Sequence, residues 1–329
     1  MKIFVTGGNG FIGSHLVAQI LARGDTVICL VREPNRAQDL QTLGAQVVRG
    51  DITERALLKE TMRGADAVFH LAGMYKLGRK FFPTMRAINV DGARNVLETA
   101  AELGVPKIVH TSTVGVFGNT HGKIVDETYK APKEIMTSEY ERTKWEAHYE
   151  IAVPLQHKGA PVIITQPGLV TGAGDPSPHV QQVDLYLQRT PIGFGANAGI
   201  TWAHVDDIAD GHIRALERGQ LGESYILAGP ARTWKQLMES WEPLTGIPAP
   251  KFWAPNWMIN FARNSTEILE RMGINLEYSA EGMAALVDYT FWGTADKAKR
   301  DLGWQPRPID ETSREILEYE MKKRGMKRK

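Results

Sequence analysis

The sequence predicts an α/β protein: a doubly wound parallel sheet followed by a smaller, mostly helical C-terminal lobe. Three observations lead there. Short apolar runs alternate with amphipathic helical stretches through the first half of the 329 residues, the pattern of strands buried between two helical layers. A glycine-rich turn joins the first run to the first helical stretch. Past residue 166 the alternation loosens, broken by prolines from Pro176 to Pro255 and by seven tryptophans between residues 202 and 304.

The expected strands are 3–6, 26–31, 45–49, 67–71, 107–111 and 162–166, each an apolar run bounded by Gly, Pro or charged residues. Between them, residues 11–22, 55–62, 85–103 and 138–157 carry apolar side chains at three- and four-residue spacing, which predicts helices. The second half is expected to add one or two strands, one of them near 224–227, and otherwise to be helical. Two units follow: a dinucleotide-binding unit over 1–168 and a substrate-binding lobe over 169–329, with segments around 200–228 returning to the main sheet. The aromatic stretch 252–261, FWAPNWMINF, reads equally as a pocket wall, an interface or the core of the lobe.

Composition narrows the function classes. Hydrophobic residues make up 43% and charged residues 23%, as in ordinary globular proteins, so disordered and collagen-like chains are excluded. The formal charge is +1, but six basic side chains fall in the last eight residues, leaving the rest net acidic. A nucleic-acid-binding face is therefore not expected, and the basic tail reads as a solvated terminus. The single cysteine, Cys29, allows neither an intrachain disulfide nor a cysteine-based metal site. No apolar stretch approaches the roughly 18 residues of a membrane span, and none stands as a leader at the N-terminus. The expectation is a soluble cytoplasmic protein.

Residues 6–13 read Thr-Gly-Gly-Asn-Gly-Phe-Ile-Gly, between an expected strand and an expected helix. Gly7 permits a tight turn, Gly10 lets the backbone approach a pyrophosphate, and Gly13 lets the helix pack closely on the strand. The free N–H groups and dipole of the helix start then hold the anion. The end of the second strand bears on which dinucleotide binds. An NAD site places a carboxylate there for the ribose hydroxyls, whereas this chain reads Leu30-Val31-Arg32. A guanidinium suits a 2′-phosphate, so NADP is expected, with Arg36 as a second candidate for the phosphate. NAD is the alternative, if Glu33 takes the ribose and Arg32 stays solvated.

Tyr140 and Lys144 stand four residues apart at an expected helix start, where Ser138 and Glu141 fit a capping box. The spacing puts phenol and ammonium on one face, the ammonium favours phenolate, and a phenol tuned toward neutral pH works as general acid or base. Alone, such a pair is more often a surface helix pattern. Thr111, Ser112 and Thr113 add hydroxyls at the carboxyl end of the fifth strand, where ligands of such sheets bind.

These features are joined by Asp51-Ile52, His70-Leu71-Ala72-Gly73, Asn89-Val90-Asp91-Gly92, Pro167-Gly168, His204-Val205-Asp206-Asp207 and Leu302-Gly303-Trp304-Gln305-Pro306. With them the chain resembles, over nearly its whole length, the extended short-chain dehydrogenase/reductases of Rossmann fold, which include nucleotide-sugar epimerases, dehydratases and dihydroflavonol-type reductases. The resemblance implies that Thr113 hydrogen-bonds the substrate oxygen, or Ser112 if the register slips by one. It implies that Tyr140 exchanges the proton, that Lys144 binds the nicotinamide ribose and lowers the tyrosine pKa, and that Asn89 completes a proton relay. For the cofactor it implies the turn of Gly7, Gly10, Phe11, Ile12 and Gly13, Asp51 at the adenine amino group with Ile52 beside the ring, Leu71 and Ala72 at the adenosine ribose, and Pro167 near the carboxamide. Outside that register, Asp51 reads as a helix cap and Asn89 as a core amide. His204 reads as a structural hydrogen-bonding residue, and no His/carboxylate spacing points to a metal. In such proteins the counterparts of the 85–103 and 138–157 helices commonly pair across a twofold axis, which implies a homodimer.

Two departures bear on substrate. Sugar-nucleotide enzymes of this kind commonly carry an arginine just before the His-Val-Asp-Asp motif, where this chain has Gly199-Ile200-Thr201-Trp202-Ala203, and often an asparagine after the sixth strand, where it has Gln166-Pro167-Gly168-Leu169-Val170. A diphosphate-sugar is thus disfavoured. Leu30-Val31-Arg32 is more like the dihydroflavonol reductases and the hopanoid-associated group of sugar-epimerase-like proteins, the loop Gly73-Met74-Tyr75-Lys76-Leu77 particularly like the latter. The expectation is an NADP-dependent oxidoreductase reducing a carbonyl on a mostly apolar or aromatic small molecule. The alternatives are an epimerase or dehydratase that recycles its cofactor, and a cofactor-sensing binding protein.

Overall fold

A computed structural model describes residues 1–326 apart from 275 and 277. Three residues of the basic tail, Lys327, Arg328 and Lys329, lie outside the described residues. Strands β1 (Lys2–Thr6), β2 (Thr26–Val31), β3 (Gln46–Arg49), β4 (Ala67–His70), β5 (Lys107–Thr111) and β6 (Val162–Pro167) form the expected sheet. Three short strands follow, β7 (Leu169–Thr171), β8 (Ile192–Gly193) and β9 (Gly199–His204), before β10 (Ser224–Leu227) returns to the sheet edge beside β6. The order is β10-β6-β5-β4-β1-β2-β3 and every pairing is parallel.

The central strands are mostly apolar because both faces are covered, every residue of β4 and β6 being buried, whereas the edge strand β3 is partly exposed, with Gln46 and Arg49 at its ends. On one face Leu16, Val17 and Ile20 of the helix Phe11–Ala22 pack with Ala209, Ile213 and Leu216 of the helix Val205–Arg218. On the other, Leu58, Val96, Leu97 and Ile151 pack against Phe4, Val68, Ile108 and Ile164. The two long helices differ from expectation in one respect. Residues 82–102 and 139–157 are continuously helical, but each contains a π-helical stretch, Ala87–Gly92 and Ala147–Ala152, a local widening that leaves no trace in apolar spacing.

The second half corrects the sequence reading. Instead of one or two strands its described residues hold seven, the last three being β11 (Ala231–Thr233), β12 (Phe252–Trp253) and β13 (Thr290–Phe291). β7, β11 and β13 pair with β9, and β8 pairs with β12. Most run only two to four residues, too short for an alternation to register, and their partners lie far away in sequence. Trp202, Trp234, Trp241 and Tyr186 fill the core of this half. The stretch 252–261 is mainly neither pocket wall nor core. Ala254 and Ile259 are buried, while Phe252, Trp257 and Phe261 are 71%, 70% and 72% exposed. Among the described residues no helix is long and apolar enough to cross a membrane.

Candidate active site

A cavity of about 760 Å³ opens at the carboxyl edge of the sheet, beside the point between β1 and β4 where the strand order reverses. Its first half is made largely by backbone. Gly7 takes φ 74°, and a Cβ there would stand 2.6 Å from the Ala72 nitrogen. A Cβ on Gly13 would collide with the Gly7 carbonyl oxygen. The helix Phe11–Ala22 begins at Gly10 with no side-chain cap, which leaves its first-turn N–H groups for an anion. This cradle of glycines and free N–H groups fits a dinucleotide pyrophosphate.

Phe11, Ile12, Arg32, Asp51, Ile52, Leu71 and Ala72 line the same half. Arg32 is exposed and has no ion pair among the described residues. Glu33 is engaged by Arg36 at 3.0 Å, so Arg36 sits on Glu33 rather than at the cavity, and the one carboxylate near the end of β2 has a partner. Asp51 lines the cavity and also holds a turn, accepting from the Thr53 N–H and hydroxyl at 2.9 Å each. Pro167, at the end of β6, is buried and outside the lining.

The chemistry-bearing side chains meet at the other side of the sheet edge. Thr113 ends the extended chain after β5, accepts from the Gly115 N–H at 3.1 Å and lines the cavity with Tyr140. Ser112 turns inward to His148 at 2.8 Å. Ser138 caps the helix Glu139–Glu146, accepting from the Glu141 N–H at 3.2 Å, whereas Glu141 reaches one residue further back to the Thr137 N–H at 3.0 Å. Lys144 is buried below the lining and donates to the Thr111 carbonyl at 2.7 Å. Burial lowers its pKa to about 8. Burial also pushes the Tyr140 phenol up to about 12, outweighing the Thr113 hydrogen bond that pulls it down. The sequence leads one to expect a phenol tuned toward neutrality; in this structure desolvation dominates and the phenol keeps its proton. Asn89 bonds the Met74 N–H at 2.7 Å, the Met74 carbonyl at 3.0 Å and Thr143 at 3.0 Å, and so fixes the loop after β4 to the helix Glu139–Glu146.

Beneath these groups lies a floor of buried histidines. His70 meets Thr6 at 2.7 Å and stacks on His110 with 5.3 Å between ring centres. His212 donates to the Ile208 carbonyl at 2.7 Å and accepts from Thr111 and Thr165 at 2.9 and 3.0 Å. Burial first, and the Lys144 charge second for His70 and His148, hold the pKa of His70 and His148 near about 3 and that of His212 near about 4. His204 caps the helix Val205–Arg218, accepting from the Asp206 N–H at 3.1 Å, and meets Glu315 at 3.0 Å, a structural post.

The substrate side is made by residues to which sequence reasoning assigned no role. Tyr75 lies on Tyr140 with ring centres 4.5 Å apart and stacks on His179 at 5.9 Å. His179 in turn faces Trp234 at 6.4 Å. Leu77, Ile200, Ala285 and Phe291 complete an apolar wall. Glu281 straps it together, accepting from the Gly78 N–H at 3.1 Å and the Glu139 N–H at 2.8 Å. The only signal in the sequence was Tyr75 within the loop 73–77; His179 and Glu281 arrive from segments with no motif.

A glycine cradle, a strand-end arginine and a Thr113–Tyr140 pair on one cavity, with Lys144 buried below it, define a nicotinamide-dependent oxidoreductase of Rossmann fold. The model of the NAD dependent epimerase/dehydratase family matches residues 3–228, and the chain belongs to that family, within the extended short-chain dehydrogenase/reductases. A Synechocystis protein provisionally named dihydroflavonol 4-reductase is 32% identical, covering 91% of this chain and 89% of its own. A Stigmatella aurantiaca ketoreductase of 4-hydroxy-2-methyl-3-oxo-4-farnesyl-3,4-dihydroquinoline-1-oxide is 30% identical over 93% of this chain and 92% of its own. The solved structure of gox2253 superposes with a TM-score of 0.84 at 30% identity, covering 99% of each chain. That of the dTDP-glucose 4,6-dehydratase DesIV from Streptomyces venezuelae, with NAD bound, has a TM-score of 0.77 over 99% of this chain and 98% of its own. At 24% identity it speaks for the fold alone.

Proposed function

We propose that this protein is an NADP-dependent reductase of a carbonyl on a small, mostly apolar or aromatic molecule. The observation that carries the reading is the pairing of Thr113 and Tyr140 with a wall of Tyr75, Leu77, His179, Ile200, Ala285 and Phe291. That half of the cavity has Lys76 but no arginine among its described lining residues, so it lacks the bidentate guanidinium grip on a diphosphate. The ketoreductase relative, whose named substrate carries a farnesyl chain on a quinoline, supports an apolar and aromatic class.

The glycine cradle of Gly7, Gly10 and Gly13 would hold reduced NADP, which would supply the hydride. The residues of this chain do the rest. Thr113 donates a hydrogen bond to the substrate carbonyl oxygen and orients it. Tyr140, protonated because burial holds it at about 12, gives its proton to that oxygen as charge develops there. Lys144, four residues on and bonded to the Thr111 carbonyl, is charged at neutral pH and stabilises the phenolate left behind.

A screen of water-soluble and lipophilic ketones, followed at the reduced-nicotinamide band, tests the reading. Net NADPH consumption is expected. Turnover without net consumption would make the protein an epimerase or dehydratase, and tight binding without turnover a cofactor sensor. Arg32 at the 2′-phosphate should contribute about 1.5 to 3 kcal/mol of NADPH preference. Dissociation constants of both cofactors for the parent, Arg32→Ala and Glu33→Ala check this, and a parent that binds NADH more tightly overturns the NADP assignment. The helices over 82–102 and 139–157 are proposed to pair with those of a second copy into a homodimer, which sedimentation at micromolar concentration tests. With Cys29 free and buried, a reducing cytoplasm is the proposed compartment.

A further inference from the structure

The substrate wall carries polar atoms that the protein itself does not use. Ser138, Glu141, Asp175 and Glu281 line the cavity, and each is bonded within the chain: Asp175 accepts from the Ser177 N–H at 2.8 Å, and the other three hold the helix start beside Tyr140. His179 lines the same wall, and neither nitrogen of its ring has a hydrogen-bond partner among the described residues. The histidines of the floor differ. His70, His148 and His212 each bond a neighbour, and His110, whose nitrogens are also unpartnered, is buried in the sheet and outside the lining.

The ring of His179 is held still. Pro176 and Pro178 precede it, its carbonyl accepts from the Gln182 N–H at 3.0 Å, and the helix Val180–Leu187 starts directly after it. The imidazole runs nearly parallel to Tyr75, at 5.9 Å and 27°, and to Trp234, at 6.4 Å and 29°, both within the range of aromatic contact. Trp234 is buried and braced edge-on by Trp202 at 5.3 Å. Stacked through its faces, the ring offers the cavity its edge, where the nitrogens are. Burial lowers its pKa to about 4, so at neutral pH it is uncharged, one nitrogen donating and the other accepting. A ligand that covers this wall either supplies a hydrogen bond there or leaves a polar edge unpaired, which costs affinity.

The stack also sets where that bond falls. Tyr75 leans on Tyr140 with 4.5 Å between ring centres, so its hydroxyl, likewise unpartnered among the described residues, belongs to the reacting end. His179 is one ring further along, a span that a fused two-ring system bridges. Lys76, the lining cation of this half, is exposed. We propose that His179 is the specificity-determining residue of the substrate half: its ring edge hydrogen-bonds a neutral hydroxyl or carbonyl on a flat aromatic ketone, at the end opposite the carbonyl that is reduced. The inference rests on the aromatic-ketone reading above and narrows it to ketones with a second, uncharged oxygen. A polar contact at that end fixes which way round the ligand enters.

Equilibrium dialysis of the full-length protein, with saturating oxidised NADP, compares 6-acetyl-2-naphthol with 2-acetylnaphthalene, which differ by one hydroxyl on the far ring. The naphthol is expected to bind about tenfold more tightly. The readout is the ratio of the two dissociation constants, so that any general loss of packing in a variant cancels. His179→Phe keeps a ring to stack on Tyr75 and Trp234 but removes the nitrogens, and should bring the ratio to within about twofold of one. Tyr75→Phe should keep it. A parent that binds the two ketones alike, or binds neither, overturns the inference without any variant, as does a ratio that survives His179→Phe or is lost in Tyr75→Phe. Reduction of both ketones by NADPH is followed separately: a naphthol held through His179 but not reduced strikes the reductase reading and leaves the role of His179 standing.

Discussion

The two halves of the cavity are built by opposite means. The cofactor half is mostly main chain, with Gly7 and Gly13 too close to neighbouring backbone for any side chain, and its parts lie at the ends of consecutive strands. The substrate half is side chains, brought from 73–77, 113–115, 138–141, 175–179 and 281–291. A backbone cradle tolerates no substitution and so shows itself as a motif. A side-chain wall need only be apolar and the right size, so it leaves no pattern.

The sharpest break between the halves should come with acid. His70, His148 and His212 under the sheet edge and His179 in the wall are neutral when folded, with pKa values lowered to about 3, 3, 4 and 4, chiefly by burial. Unfolded, each titrates near 6.5, so below that pH the unfolded chain binds more protons and stability falls as pH falls. The stability is complete above about pH 7 and drains toward pH 4. Between pH 7 and pH 5 the loss is about 2 kcal/mol per histidine, measured as the shift of urea midpoints. If His212→Asn leaves that slope unchanged, the floor is not the source.

Tyr140→Phe keeps the ring against Tyr75 and removes the proton. Turnover should fall at least about 100-fold while the cofactor dissociation constant holds; unchanged turnover would place the acid elsewhere. Gly13→Ala puts a methyl into the Gly7 carbonyl and should cost about 1 to 3 kcal/mol of stability, seen in denaturant midpoints, with weaker binding of either cofactor. Tyr75→Ala removes one leaf of the aromatic wall and should raise KM for an aromatic ketone about tenfold, leaving cofactor affinity unchanged. Tyr75→Phe should stay within about twofold of the parent. An equal effect of Tyr75→Ala on cofactor binding would erase the division between the halves.

What the sequence determined by itself was everything local. Strand, glycine turn and helix succeed one another in residues 2–22 because each choice is made within a few neighbours, and the central strands of the main sheet are mostly apolar because both faces are covered. Tyr140, Lys144 and Thr113 were legible as a group, and Asn89 was legible both as a relay candidate and as a core amide; its three hydrogen bonds to Met74 and Thr143 show an anchored amide. Only the tertiary structure decided the rest. It turned Thr113 to the cavity and Ser112 to His148, a choice that one residue of register reverses. It made short strands of β7, β8, β11, β12 and β13, whose pairing energy comes from partners far along the chain. It also set the protonation of Tyr140. The i, i+4 spacing from Lys144 reads as a charge effect, but desolvation depends on how many atoms the fold packs around the phenol, and no stretch of sequence carries that number.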